Sequence, residues 1–181
     1  MNGASREALA AARERLDALT DSTSVDAAQL ADELAAVTAL LDREAGLRRV
    51  LTDPAQPAEA KAELVQRLIG GQVNGATADL VSGMARSRWS QPRDLVDALE
   101  ELADIADLTA AEKTGTLDDV EDELFRFGRI VSSSTELRAA LTDRAAGTSA
   151  KSELLNRLLG GAGQAGHRAS GDAPRDRAAW T

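Results

Sequence analysis

The sequence predicts an all-α protein: a six-helix bundle, then a partial duplicate of its helices, then a disordered C-terminal tail. The apolar content of 43% comes from Ala, Leu and Val, with two Phe, two Trp and no Tyr, which favours packed helices over a β-sandwich. Apolar residues recur at helical spacing along almost every segment. Residues 47–71 recur at 137–161 with 14 identities in 25 positions and no gap, which indicates a duplicated helical unit.

The first predicted domain, residues 4–114, contains all six helices of the bundle. Five helix starts are predicted from a side-chain cap or from a proline in the first turn, and the residues that mark them are Ser5, Asp26, Pro57, Thr77 and Pro92. A short third helix ends before Pro54, because proline disfavours helical geometry in the residue before it. Gly70 and Gly71 end the fourth helix through a left-handed C-cap, and Gly115 ends the sixth.

The second predicted domain, residues 115–161, repeats the second, third and fourth helices. Copy one continues with two more helices, whereas residues 162–181 contain no Leu, Ile or Val and are predicted to be disordered. Their Gly, Ala, Arg, Asp and Pro bias is what an out-of-frame reading of a GC-rich gene would give, so we expect a truncated second copy. Its apolar face then either packs on copy one or is exposed, and the residues of that face are Leu124, Phe127, Leu154 and Leu158.

Composition also narrows the class of protein. The net charge of −9 argues against a nucleic-acid partner. The chain has no Cys, no run of about 20 apolar residues that could span a bilayer and no apolar core of a signal peptide. A soluble intracellular protein is expected.

No group of residues predicts catalysis, a cofactor or a metal site. Residues 118–123 are strongly acidic, but they lack the glycine and the ligand spacing of a calcium loop and fit the first turn of a helix. The single histidine, His167, lies in the tail. Residues 86–89 form a basic patch with a tryptophan, which fits a helix C-terminus with a packed indole better than a nucleic-acid surface.

The assembled motifs resemble those of a known family. They are Arg6-Glu7-Ala8-Leu9-Ala10, Leu47-Arg48-x-x-Leu51, Lys61-x-Glu63-Leu64, Leu80-Val81 with Met84, and Trp89-Ser90. The pattern over residues 4–161 resembles the δ subunit of F-type ATP synthases, the bacterial counterpart of the mitochondrial oligomycin-sensitivity-conferring protein. The actinobacterial type, in which part of the helical domain is duplicated, is the most similar.

The resemblance implies a non-catalytic subunit of the peripheral stalk that links the F1 catalytic head to the stator. In that family a groove between the first and fifth helices receives the N-terminal helix of an α subunit. A C-terminal α/β domain, which we expect to be absent here, engages the b subunit. The implied location is the cytoplasmic side of the cell membrane, reached only through the complex. The groove positions implied here, each of which could equally be core, are Leu9, Ala12, Leu16, Leu80, Met84 and Ala85.

Two other functions stay open. The chain could be a free-standing helical adaptor, since the alanines of the first helix (Ala8, Ala10, Ala11 and Ala12) would let another helix approach closely. It could also bind nucleic acid through residues 86–89, in which case binding would depend on salt.

Overall fold

The structure, a computed structural model, describes residues 1–143, 145–147 and 149–158. Within those residues every regular element is an α-helix, which confirms the all-α class. The helices are α1 (Gly3–Thr20), α2 (Ala27–Arg43), α3 (Ala45–Thr52), α4 (Ala58–Ile69), α5 (Gly75–Arg86), α6 (Pro92–Thr114), α7 (Leu117–Ser133), α8 (Thr135–Thr142) and a ninth over residues 149–158. Among the described helices, none combines the length and the hydropathy of a membrane-spanning segment.

The chain divides into two compact units, Met1–Val120 and Glu121–Thr181. In the first unit the most extensive contact is between α2 and α6, α4 packs on α5, and α1 packs on both α5 and α6. The apolar stripes of these helices meet in one core, and burying them drives the folding of the unit. The largest fully buried side chains are Leu16, Leu30, Leu34, Leu41, Leu80, Met84, Leu95, Leu99 and Leu102.

Several helix boundaries lie where local signals predict them. The carboxylate of Asp26 caps α2 by accepting hydrogen bonds from the backbone N–H groups of Ala28 and Gln29. Pro92 is the first residue of α6, and Gly115 ends that helix in the left-handed conformation with φ of 71°. These signals act within a few residues, so the sequence is sufficient to find them.

Other boundary predictions are wrong. Helix α1 begins at Gly3, so Ser5 lies inside the first turn and does not cap the helix. Helix α5 begins at Gly75 and is capped by Asn74, not by Thr77. Gly70 ends α4 with φ of −59°, in the right-handed region, so no left-handed C-cap forms there. Pro57 was expected in the first turn of α4, but it lies one residue before the helix, at the N-cap.

The duplicated helices over residues 117–142 keep the predicted register. Adding 90 to the bounds of α2 and α3 gives the bounds of α7 and α8, so these are matching helices of the two copies. No residue of α7 or α8 is buried. We call α2–α4 copy one and α7, α8 and residues 149–158 copy two. The predicted disorder of residues 162–181 lies outside the described residues.

A groove between the first and fifth helices

Helices α1 and α5 enclose an open cavity of about 460 Å³ on the surface of the first unit. We call it the α1–α5 groove. From α1 it is lined by Ala8, Ala11, Ala12, Glu14, Arg15 and Ala18, and from α5 by Leu80, Gly83, Met84 and Ser87. The groove is therefore built mainly from small and apolar side chains.

The small side chains follow the helical repeat along α1. Ala8, Ala11, Ala12 and Ala18 share one face because residues three, four and seven apart in a helix are neighbours on its surface. Opposite them, a Cβ atom added to Gly83 would have no atom within 4 Å. A methyl group or a hydrogen at these positions leaves room for another helix at the usual interaxial distance of about 8–10 Å.

The floor and the rim of the groove differ in polarity. Ala8, Ala12, Leu80 and Met84 are buried and form an apolar floor continuous with the core. Glu14 and Arg15 are exposed on the α1 side of the groove. An amphipathic helix could bury its apolar face on the floor and pair its polar flank with these charges.

The structure separates the six groove positions predicted from the resemblance into two groups. Ala12, Leu80 and Met84 line the groove. Leu9, Leu16 and Ala85 are buried in the core behind it. Seven other residues line the groove. Ala8 and Ala11 are among the α1 alanines that the sequence predicts would let another helix approach. The other five, which the sequence analysis does not place in a groove, are Glu14, Arg15, Ala18, Gly83 and Ser87.

A buried polar network fixes the first turn of α1 against the start of α6. The hydroxyl of Ser5, which is fully buried, donates to the carboxylate of Asp94 at 2.7 Å. The same hydroxyl accepts from the backbone N–H of Ser90 at 2.8 Å. Because Ser5 and Asp94 are buried and Ser90 lies in the loop between α5 and α6, the network joins the first turn of α1 to that loop.

Helix α5 is held at both ends. At its N-terminus the Glu33 carboxylate accepts from the backbone N–H of Asn74 at 3.0 Å and from the hydroxyl of Thr77. At its C-terminus the indole N–H of Trp89 donates to the carbonyl of Met84 at 2.7 Å. A carboxylate at the positive end of a helix and a donor at its negative end both complement the helix dipole. These contacts fix the α5 wall of the groove.

The basic patch at residues 86–89 is used within the fold. The guanidinium of Arg86 pairs with Glu59 at 3.0 Å, and hydrogen bonding to Glu59 raises the pKa of Arg86. Trp89 is buried, so its ring is not available for stacking on a base. These contacts support the interpretation of the patch as a helix C-terminus with a packed indole.

The acidic segment 118–123 begins α7. Asp118 and Asp119 occupy its first turn, where negative charge is favourable. Among the residues that the structure describes, no group of three or more His, Cys, Asp or Glu side chains is arranged to hold a metal ion.

Comparison with known proteins gives a consistent result. Residues 17–109 match the profile of the family described as ATP synthase delta (OSCP) subunit. Proteins named ATP synthase subunit delta are similar over most of this chain: 79% identity over 160 residues in Streptomyces coelicolor, 76% over 164 in Streptomyces griseus and 50% over 167 in Frankia alni. The matches cover 88%, 91% and 89% of this chain but 58%, 60% and 60% of the three relatives. The chain thus spans about three-fifths of their length.

Proposed function

The chain belongs to the ATP synthase delta (OSCP) subunit family, and from that premise we propose that it is a non-catalytic subunit of the peripheral stalk of an F-type ATP synthase. In this role it would link the F1 catalytic head to the stator, so that the torque that hydrogen ion transport generates in the rotor drives ATP synthesis instead of turning the head. The task is mechanical and requires rigid contacts, which the packed first unit supplies.

We propose that the α1–α5 groove receives the N-terminal helix of an α subunit. The observation that carries this proposal is the apolar floor of Ala8, Ala12, Leu80 and Met84 between two helices that the fold fixes at their ends. An apolar helix face laid on this floor would be removed from water together with the exposed methyl groups of Ala11 and Ala18, at about 25 cal/mol per Å² of apolar area. Leu9, Leu16 and Ala85 would support the floor from behind without touching the ligand.

A rigid groove also suits a contact that must resist the torque of the rotor. The Ser5–Asp94 hydrogen bond and the Glu33 contacts with α5 fix the two walls before the ligand arrives. Less conformational freedom is then lost on binding, and more of the interaction energy appears as affinity.

Two further points belong to the same proposal. The family resemblance assigns the b-subunit contact to a C-terminal α/β domain, so we do not assign it to the helices described here. The chain would reach the cytoplasmic side of the cell membrane through its complex, as a peripheral protein.

The test is binding of a synthetic peptide of the α-subunit N-terminal helix from Streptomyces coelicolor, measured by isothermal titration calorimetry. Ala11→Arg places a long cation in the groove, and we expect it to weaken binding by about a hundredfold, roughly 3 kcal/mol. Ala10→Arg is the matched control, because Ala10 is an exposed neighbour on α1 outside the lining.

Two results would contradict the groove assignment: no binding by a folded wild-type chain, or equal weakening by the two arginine variants. The first result would favour the free-standing adaptor, which has no reason to recognise this peptide. Salt-dependent binding of the chain to duplex DNA would favour the nucleic-acid interpretation instead.

A further inference from the structure

A second cavity of the first unit contains a buried lysine that has no anionic partner. The cavity is open, has a volume of about 480 Å³ and is lined mainly by the start of α4 and by the loops that follow α3 and α5. Lys61 of α4 lines it and is only 4% exposed. Among the residues that the structure describes, no carboxylate lies within 4 Å of its ammonium group. Lysine is rarely buried unless it is paired, so this cavity, which we call the Lys61 pocket, is a candidate anion site.

The hydrogen bonding of Lys61 leaves most of its capacity unused. An ammonium group has three N–H donors. The Nζ atom donates to the backbone carbonyl of Ser87 at 3.4 Å, which is longer than the usual 2.7–3.2 Å for such a bond. That carbonyl lies just after the end of α5, where a cation is favourable. This contact accounts for one donor, and the described residues provide no acceptor for the other two.

The charged side chains around the pocket also favour an anion. Of the described residues that line it, three are cationic and none is acidic; the cations are Lys61, Arg86 and Arg88. The guanidinium of Arg86 pairs with Glu59, which lies outside the lining. Arg88 is exposed and has no carboxylate within 4 Å in the described part of the chain. Lys61 and Arg88 therefore both have charge available for a ligand.

One nearby carboxylate acts on Lys61 from a distance. Burial lowers the pKa of Lys61, the charge of Asp53 raises it, and the charge of Arg88 lowers it further. Asp53 forms no ion pair with Lys61, and its carboxylate accepts from the backbone N–H of Ala55 at 2.9 Å. Since the pKa of Lys61 is lowered despite Asp53, this carboxylate does not offset the cost of burying the ammonium. An anion in direct contact with Lys61 would do so.

The donors come from different elements of the fold, which suits a tetrahedral ligand. Lys61 is provided by α4 and Arg88 by the loop after α5. Ala58, the first residue of α4, also lines the pocket, and no side chain caps this helix. Backbone N–H groups at a helix N-terminus favour phosphate, and phosphate oxygens accept charge-assisted hydrogen bonds from several directions. A phosphate group thus uses these donors more fully than a planar carboxylate.

We propose that the Lys61 pocket binds a phosphate group, with Lys61 and Arg88 as its main ligands. The volume of the pocket lies in the range of small-molecule sites, so the phosphate can be free or carried by a small molecule. Thr52 and Gln56, which also belong to the lining, would then offer polar contacts to the rest of that molecule. The pocket shares no lining residue with the α1–α5 groove, so either assignment can fail without the other.

The first test is a titration of the full chain with inorganic phosphate, followed by amide ¹H–¹⁵N NMR at constant ionic strength. We expect saturable shifts at Ala58 and Arg88, with a dissociation constant of roughly 1 mM. Lys61→Met and Arg88→Gln should each weaken binding by about tenfold, because each removes a charge-assisted donor. Arg67→Gln is the matched control: Arg67 is an exposed arginine of α4 outside the lining, and its replacement should leave the affinity unchanged.

The second test separates a ligand role of Lys61 from a purely structural one. The chain contains three lysines, Lys61, Lys113 and Lys151, so ¹³C labelling at lysine Cε gives three signals that can be followed against pH. Saturating phosphate should move the Lys61 titration to higher pH, because a bound anion stabilises the ammonium form. The other two signals should titrate as they do without phosphate. A structural Lys61 would titrate identically with and without phosphate.

The third test compares ligands and identifies the source of the phosphate. Glycerol 3-phosphate binding more tightly than inorganic phosphate would indicate a phosphate carried by a small molecule, whereas equal affinities would indicate the free anion. Acetate should bind at least about tenfold more weakly than either, since it offers fewer oxygens and less charge.

Three results would overturn the proposal. The wild-type chain could show no saturable shift in the millimolar range of phosphate. Arg67→Gln could weaken binding as much as Arg88→Gln, which would mean unspecific attraction to positive charge. Finally, acetate could bind as tightly as phosphate, and the pocket would then be a carboxylate site. Circular dichroism of each variant checks that the helices are intact, and Arg88→Gln, at an exposed position, keeps the test valid if Lys61→Met does not fold.

Discussion

Copy one and copy two share their local structure but differ in burial. In copy one the hydroxyl of Thr52 donates to the carbonyl of Arg48 at 2.8 Å, and in copy two that of Thr142 donates to the carbonyl of Arg138 at 2.8 Å. Yet Leu34 is fully buried whereas Leu124 is 62% exposed. Copy one is followed by α5 and α6, and α6 packs on α2. The local sequence therefore determines where the helices form, and packing against further helices determines which of their residues are buried.

Polar contacts show the same contrast. Glu33 uses its carboxylate to hold the start of α5, whereas the matching Glu123 of copy two is exposed. The glutamate that binds the start of a neighbouring helix in copy one has no such contact in the described part of copy two. Equivalent substitutions in the two copies should consequently have unequal effects wherever α5 or α6 is involved.

The largest difference is expected for the matched leucines. Leu34→Ala should lower the free energy of unfolding by about 3 kcal/mol, because it removes buried surface and leaves a cavity. Leu124→Ala should change it by less than about 0.5 kcal/mol, as expected for an exposed position. Urea denaturation followed by circular dichroism measures both. Similar losses for the two variants would mean that the α7 face is covered in solution.

The next difference concerns the buried network at Ser5. Ser5→Ala removes the hydrogen-bond donor of the Asp94 carboxylate and the acceptor of the Ser90 N–H. We therefore expect the free energy of unfolding to fall by about 2 kcal/mol. Ser132→Ala, at an exposed serine of α7, should stay within about 0.5 kcal/mol of the wild type. Since Ser5 positions α1, the affinity for the α-subunit peptide should fall together with stability. An unchanged unfolding midpoint for Ser5→Ala would show that water replaces the hydroxyl without cost.

A smaller difference is expected for the matched glutamates. Glu33→Ala removes the carboxylate that accepts from the backbone N–H of Asn74 and the hydroxyl of Thr77 at the start of α5, and we expect the free energy of unfolding to fall by about 1 kcal/mol. Amide hydrogen exchange at Asn74 should become faster, because its N–H group loses its acceptor. Glu123→Ala should leave exchange in the described helices unchanged. Faster exchange throughout the first unit would instead indicate global destabilisation.

The contrast between the copies also explains what could be predicted from the sequence. The helices, their register and the boundary residues Asp26, Pro92 and Gly115 depend on contacts within a few residues, and these predictions are confirmed. Ser5 was predicted as a cap because a serine near a helix start usually is one. Its partner Asp94 lies 89 positions away along the chain, and no local pattern reveals such a contact.

The groove shows the same limit. An apolar stripe marks the buried side of α1, but Leu9 and Leu16 point into the core while Ala12 lies in the lining. Both groups have the same helical spacing, and only the position of α5 separates them. The family resemblance predicts that the groove lies between α1 and α5, whereas only the structure shows which residues line it. Whether the lining binds a partner stays a prediction.

The smallest expected difference lies where the copies agree, at the matched arginines. Arg48 donates to the carbonyl of Leu41 at 2.6 Å, and Arg138 donates to that of Ser132 at 2.8 Å. Both contacts join the first turn of a short helix to the end of the preceding one, and neither involves α5 or α6. Arg48→Ala and Arg138→Ala should therefore each cost about 1 kcal/mol locally, seen as equally faster hydrogen exchange in α3 and in α8. Much faster exchange for Arg48→Ala alone would show that this contact also depends on packing against α5 or α6. Local structure and burial would then not be independent in the two copies.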